Sequence, residues 1–266
     1  MAAFAESNTF TTAAGNVIQG TRPVFGPNFG SVDWLTTIGN ANYNALQLSV
    51  RHTSRRLELQ AGYTYSKSLD NSSSISEQLN PYNYGATYAP SAFDLKHNFV
   101  ASYRYELPRG FVLSGITRFA TGFPVTLTNA SDNSLLGTQP DGVNSYGVDL
   151  PQVSPGPLRL NNDPRNGLAY FNTSLFSLQP LGDPGNAARR MFYGPGMANF
   201  DIALSKTIRL AEGKALQLRL ETFNTFNHAQ FFGPAAVNGE ITSSAFGQVV
   251  SAAAPRLVQL GVKLSF

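Results

Sequence analysis

The sequence has no cysteine, a single tryptophan and few charged residues, which make up only 13% of its 266 residues. The lack of cysteine excludes a disulfide framework, a zinc ribbon and a thiol nucleophile among these residues. No apolar run approaches the roughly 18 residues that a transmembrane helix needs. The opening residues, MAAFAESNTF, lack the basic and apolar regions of a signal peptide. Lysine and arginine are scattered at a net charge of +3, so no nucleic-acid partner is indicated.

Aromatic residues are plentiful, with 19 Phe and 11 Tyr, and apolar residues reach 42%. The charged fraction is about half of the ~25% that is typical of soluble domains. A low charge content together with many aromatic side chains favours a secreted or outer-membrane β protein over a cytosolic enzyme.

Apolar and polar residues alternate in seven segments, which is the period of a β-strand with two different faces. The closing segment, RLVQLGVKLSF, places Val258, Leu260, Val262, Leu264 and Phe266 in one phase. The pattern predicts strands at about 43–53, 56–68, 94–107, 111–127, 198–210, 214–227 and 256–266.

The connections between these segments alternate strictly between short and long. Two or three residues separate the strands at 54–55, 108–110 and 211–213, whereas the other connections span about 69–93, 128–197 and 228–255. Short periplasmic turns and long extracellular loops are typical of an all-β, antiparallel transmembrane β-barrel. Soluble sandwiches and propellers also alternate and are the competing interpretation.

The charged residues of the strands fall almost entirely in the polar phase, which predicts a polar ladder facing a barrel lumen. His52 and Lys206 are exceptions and lie near the predicted short turns. The predicted ladder consists of Arg51, Glu58, Arg104, Glu106, Arg118, Arg209, Arg219, Glu221 and Lys263.

Several stretches resemble the C-terminal barrel region of TonB-dependent outer-membrane receptors, in particular the Oar-like branch with a carboxypeptidase-regulatory-like domain. They are YNALQLSV, AGYTYSKSLD, SAFDLKHNFVASYRYELPRG, GPGMANFDIALSKTIRL, LRLETFNTFNHAQF, FGQV and PRLVQLGVKLSF. The resemblance implies that 43–266 is a barrel segment, that 1–42 is the preceding loop or partial-strand region, and that the parent barrel has about 22 strands. Because seven strands do not close such a barrel, we expect a fragment whose plug and N-terminal barrel half are missing.

The resemblance also implies partners: outer-membrane lipid, the β-barrel assembly machinery and, in the intact parent, TonB. Phe266 is similar to the terminal aromatic residue that the assembly machinery recognises. The alternation of apolar and polar residues in the closing strand also accounts for a phenylalanine at this position. The expected function is that of the C-terminal part of a receptor for uptake of a large ligand, located in the cell outer membrane. The alternative is a secreted or surface adhesin without transport activity.

No catalytic, cofactor or metal site is expected. His52, His97 and His228 are far apart in the chain and lack neighbouring ligand clusters. A barrel hydrolase would need Ser, His and Asp partners on inward phases, and none is evident. In the loop at 79–93, Tyr82, Tyr84 and Tyr88 suit either ligand contact or an aromatic belt.

The stretch RLETFNTFN at 219–227 loses the period of two after Glu221. We interpret this change as a bulge or a strand end. Asn224 and Asn227 would then lie at the outer rim of the predicted barrel.

Overall fold

The computed structural model of the chain describes residues 2–4, 9–11, 17–19, 32–34, 36–74, 77, 79–80, 83–131, 133–134, 149–180 and 182–266. Within these ranges the regular elements are β-strands and three short 3₁₀ helices, Pro108–Gly110, Pro164–Asn166 and Thr173–Leu175. No helix among the described residues is long and apolar enough to cross a membrane.

Seven long strands build one antiparallel sheet, and seven short strands accompany it. The long strands are β5 (Ala41–Thr53), β6 (Leu57–Asp70), β8 (His97–Glu106), β9 (Phe111–Ala120), β12 (Met197–Ala211), β13 (Lys214–Phe223) and β14 (Leu257–Ser265). The short strands are β1 (Ala2–Phe4), β2 (Thr9–Thr11), β3 (Val17–Gln19), β4 (Val32–Trp34), β7 (Ala89–Pro90), β10 (Gln152–Val153) and β11 (Phe176–Ser177).

The long strands form a meander in which each pairs with its predecessor among the long strands, in the order β5-β6-β8-β9-β12-β13-β14. The short strand β7 adds to β6, and the remaining short strands form the pairs β1-β4, β2-β3 and β10-β11. Among the described residues, the outer edges of β5 and β14 have no partner strand.

Tight turns join the long strands at one end of the sheet, which we call the short-turn end. In the turn after β8, Arg109 and Gly110 have φ values of 63° and 77°. In the turn after β12, Gly213 has φ 73°, a left-handed conformation that glycine adopts without steric cost. All three long connections lie at the opposite, long-loop end, so the predicted alternation of short and long connections is confirmed.

Two predicted strands end earlier than expected. The segment 111–127 is a strand only to Ala120, and the segment 214–227 only to Phe223. Beyond Ala120 the chain leaves the sheet, and Val125 and Leu127 are buried among loop residues instead. Their apolar alternation therefore reflects a loop core and not a longer strand.

Left-handed backbone conformations explain the end of β13. Asn224 and Asn227 have φ values of 48° and 51°, which asparagine tolerates better than most residues. The Asn224 amide N donates to Asp201 Oδ1 at 2.8 Å, and Asn224 Oδ1 accepts from the His228 amide at 3.0 Å. These bonds replace the strand ladder, so of the two interpretations of this stretch, a bulge or a strand end, the strand end is the one observed.

Candidate functional site

The two faces of the sheet differ in chemistry, and the strand register shows which residues share a face. Val50 lies opposite Ala61, Ala61 opposite Ala101, Ala101 opposite Thr117, and Thr117 opposite Phe200. Paired residues in neighbouring strands point to the same side of a sheet. We call this side, which carries the leucines and valines of the alternation, the apolar face.

The opposite side, which we call the charged face, carries the polar ladder. Glu58 lies opposite Arg104, and Glu221 opposite Gln259. Arg104 forms ion pairs with Glu58 at 3.5 Å and with Glu106 at 3.0 Å, and Arg219 pairs with Glu221 at 2.6 Å. By register the charged face holds Arg51, Glu58, Arg104, Glu106, Arg118, Arg209, Arg219, Glu221 and Lys263.

Two charged or ionisable residues depart from the alternation and lie near the short-turn end, as the sequence predicted. His52 pairs with Leu59, and Lys206 with Leu218, which places both on the apolar face. The Lys206 ammonium lies 4.6 Å from the centre of the Phe111 ring, a contact that offsets part of the cost of an exposed cation beside apolar groups. Ile116 is the converse case, because it lies on the charged face opposite Asp201.

A row of aromatic rings crosses the apolar face near the long-loop end. The Phe99 and Phe119 ring centres are 6.1 Å apart, those of Phe119 and Phe200 5.4 Å, and those of Phe200 and Phe226 5.0 Å. His97 continues the row and stacks on the Tyr63 ring at 6.1 Å. Such a band of rings is typical of the level where a membrane meets water.

Two of the three long connections at the long-loop end fold together into what we call the loop layer, comprising the described residues of 121–196 and 224–256. Its core consists of the buried residues Val125, Leu127, Leu150, Phe171, Phe176, Ala187 and Val237. Phe171 is only 2% exposed, and its ring centre is 5.5 Å from Phe176, 4.5 Å from Phe192 and 5.3 Å from Phe246. The loops therefore have a packed interior of their own.

A buried cluster of four charges anchors the loop layer to the end of β6. Arg189 donates to Asp70 Oδ1 at 2.5 Å and also pairs with Glu77, which in turn pairs with Arg190. All four side chains are at most 5% exposed. Burial and the neighbouring Arg189 guanidinium lower the pKa of Arg190, whereas Glu77 opposes this shift. Two cations face two anions, so the cluster is neutral overall.

A second polar cluster links the strand ends. Asp94 is fully buried and accepts hydrogen bonds from Lys67 Nζ at 3.0 Å, from the Tyr193 hydroxyl at 2.5 Å and from the Ser68 amide at 2.7 Å. Burial and the hydrogen bond to Asp94 raise the pKa of Tyr193, while Lys67 opposes that shift. Asp94 is thus a structural acceptor.

The predicted loop tyrosines are only partly accounted for. Tyr84 and Tyr88 lie in a turn and are about two-fifths exposed, at 42% and 41%. Tyr82 lies outside the described residues. Ligand contact by these residues stays a prediction.

No group of three or more His, Asp or Glu side chains among the described residues could hold a metal ion. Sequence reasoning missed the roles of Arg189, Arg190 and Glu77. The one available signal was an adjacent arginine pair within a loop, in a chain where charge is scarce.

Comparison with known proteins adds a family. The family model of the outer membrane beta barrel domain matches residues 3–259, so the chain belongs to this family. The chain is also similar to the outer membrane transporter YddB from Escherichia coli, with 14% sequence identity and a TM-score of 0.45. That similarity covers 98% of this chain and 28% of YddB, so the chain spans less than a third of the length of that structure. No curated protein sequence matches the chain.

Proposed function

We propose that this outer-membrane domain is the C-terminal part of a TonB-dependent receptor, in which it forms barrel wall and extracellular loops for uptake of a large ligand. The observation that carries the proposal is a meander of seven long strands with one apolar and one charged face. Lipid contacts the apolar face, and the charged face lines the lumen. The short-turn end is periplasmic, and the loop layer is extracellular.

The unpaired edges of β5 and β14 support a larger barrel. An unpaired backbone N–H or C=O group that faces hydrocarbon costs several kcal/mol. Further strands must therefore pair with both edges in the membrane. The resemblance to TonB-dependent receptors supplies these strands, together with a plug and the contact with TonB in the periplasm.

The loop layer provides the ligand-facing surface in this proposal. Its packed core and buried charges hold the loops in one arrangement, and a preformed surface loses less entropy when a ligand binds. Phe266, which directly follows β14 and continues its apolar phase, serves as the contact for the assembly machinery.

A surface adhesin is disfavoured by the exposure of the apolar face. Leu260 and Val262 are 78% and 72% exposed, and the other apolar residues of β14 are more than half exposed as well. A water-facing protein rarely leaves so large a continuous apolar patch uncovered. Lipid is the natural cover for it.

The proposal is tested by cysteine labelling in cells, since the chain has no native cysteine. Ser114→Cys on the charged face reports on the lumen, Leu204→Cys on the apolar face, and Asn161→Cys on the exposed loop surface. A membrane-impermeant maleimide should label Ser114→Cys faster when TonB is energised, because movement of the plug opens the lumen.

The two other positions are the controls for that measurement. Labelling of Asn161→Cys should be fast with or without TonB, and labelling of Leu204→Cys should stay slow. Equal labelling of Ser114→Cys in cells with and without TonB would refute a TonB-dependent function. Fast labelling of Leu204→Cys would refute contact between the apolar face and lipid.

A further inference from the structure

A cavity of about 600 Å³ lies between the ends of β8, β9 and β12 and the loop layer. Its volume is within the range of small-molecule sites, about 300–1,000 Å³. The side chains that matter here are Lys96, Arg159, Tyr170, Phe171, Phe192 and Tyr193. Strands β8, β9 and β12 are inner strands of the sheet, so strands added at β5 and β14 do not pair beside the cavity.

The charge in the cavity has one sign. Lys96 and Arg159 line it, and none of the residues that line it carries a carboxylate. Neither cation forms an ion pair with any described residue. The nearby Asp94 is already satisfied by Lys67 and Tyr193. The cavity therefore presents two cations that lack a counterion within the described part of the chain.

The remaining walls are apolar and aromatic. The Phe171 and Phe192 ring centres are 4.5 Å apart, and Phe171 is anchored in the core of the loop layer. Tyr170 also lines the cavity, and its hydroxyl has no hydrogen-bond partner among the described residues. Burial raises the pKa of Tyr170, with Arg159 opposing, so the hydroxyl stays protonated and can donate at neutral pH.

Part of the cavity wall is rigid backbone. A Cβ atom at Gly122 would lie 1.9 Å from the Gly194 carbonyl oxygen, and one at Gly196 would lie 2.6 Å from the Ala120 carbonyl oxygen. These glycines let the chain after β9 and the chain before β12 cross at close range. The cavity is therefore bounded by fixed backbone as well as by packed rings.

We propose that this cavity binds a small organic anion with a flat apolar body, whose anionic group contacts Lys96 and Arg159 and whose ring packs against Phe192 and Tyr170. The proposal goes beyond the proposed function, because the small anion bound here is distinct from the large ligand that the receptor takes up. Opposite charge and apolar burial favour binding together, because an ion pair is stronger beside apolar walls than in open water. A cation of the same shape meets two like charges and is rejected.

The test is isothermal titration calorimetry of the 266-residue protein in lipid nanodiscs. The protein is titrated with naphthoate and, separately, with naphthylmethylamine, and empty nanodiscs provide the background. Naphthoate should bind at a 1:1 ratio with a Kd below about 1 mM, and the amine at least about tenfold more weakly. The double variant Lys96→Met/Arg159→Met should weaken naphthoate binding about tenfold or more, since both charge-assisted contacts are lost.

Two matched variants control for net charge and for folding. Arg165→Met/Lys214→Met removes the same number of positive charges outside the cavity and should leave naphthoate binding unchanged. Lys96→Arg/Arg159→Lys keeps both charges and should retain binding within about threefold. Equal binding of the acid and the amine, no saturable naphthoate binding, or full binding by the double Met variant would overturn the proposal.

This measurement is independent of transport. Binding in nanodiscs needs neither TonB nor a membrane potential, so it tests the cavity alone. Naphthoate binding without TonB-dependent labelling of Ser114→Cys would support the cavity and refute the transport proposal. TonB-dependent labelling of Ser114→Cys without naphthoate binding would refute the proposed binding in the cavity and support the transport proposal.

Discussion

The sheet and the loop layer of this protein differ in where their buried surface lies. Every residue of β5 is exposed, and β14 is exposed at all positions except Gly261, which is half-buried. Of the buried apolar residues, the long strands contribute only Ala101 and Ala120. The loop layer instead holds the large buried side chains, among them Arg189, Phe171 and Leu127.

This contrast reverses the usual arrangement, in which strands form a core and loops cover the surface. In the proposed barrel the sheet relies on its surroundings, because lipid covers one face and further strands pair with its edges. The loop layer relies on itself, through a ring cluster around Phe171 and a buried ion cluster around Arg189. Substitutions should therefore have different consequences in the two regions.

The largest effect is expected in the loop core. Phe171→Ala removes the ring that contacts Phe176, Phe192 and Phe246, and it should destabilise the loop layer by about 4 kcal/mol. Hydrogen exchange of the Val125 amide, which donates to the Phe192 carbonyl at 2.9 Å, should then accelerate strongly. Exchange in the sheet, for example at Leu204, should change little. Equal acceleration in both regions would show that they unfold as one unit.

The ion cluster gives the next largest effect. Arg189→Met leaves Asp70 buried without its cation and Glu77 with only Arg190, which should cost about 3 kcal/mol. The Leu127 amide, which donates to the Arg189 carbonyl at 3.0 Å, reports the resulting loss of protection from exchange. Arg165→Met is the matched control, since Arg165 lies on the surface of the same connection. Similar exchange in the two variants would argue against an anchoring role for the cluster.

The sequence predicted the sheet well, because a strand with one apolar and one polar face shows a local alternation of apolar and polar residues. Alternation placed all seven long strands within a few residues at most ends, and it assigned nine charged residues to one face. It failed beyond Ala120, because Val125 and Leu127 alternate for a different reason: both are buried in the loop core. A period of two cannot distinguish a strand from an extended loop segment.

The candidate site was much less predictable. Arg190 and Glu77 are 113 residues apart in the chain, and so the ion cluster has no local signature. The cavity likewise combines Lys96 with Arg159 and Tyr170 from a distant connection. Contacts of this kind arise from the folding of two long connections against each other, which composition and spacing do not encode.

A charge on the apolar face tests the sheet directly. Leu260→Arg should cost about 2 kcal/mol in the membrane, because it places a cation against lipid opposite Leu220. Gln259→Arg, one residue away on the charged face, is the matched control and faces Glu221. Reversible urea unfolding of the intact protein in lipid vesicles measures both variants. Equal destabilisation by the two substitutions would contradict the assignment of lipid to the apolar face.

The smallest effect is expected for an ion pair on the surface of the loop layer. The hydrogen bonds from Arg165 to Asp163 lower the pKa of Asp163 to about 2, yet the Arg165 side chain is 70% exposed and that of Asp163 37%. A lowered carboxyl pKa stabilises the folded state above the ordinary pKa of about 4, and this contribution is lost as the pH falls towards 2. Because water and salt screen an exposed pair, Asp163→Asn should leave exchange of the Leu127 amide unchanged at pH 7. A marked acceleration would mean that surface charges hold the loops together as well as the buried cluster does, and the contrast between buried and exposed pairs would not hold.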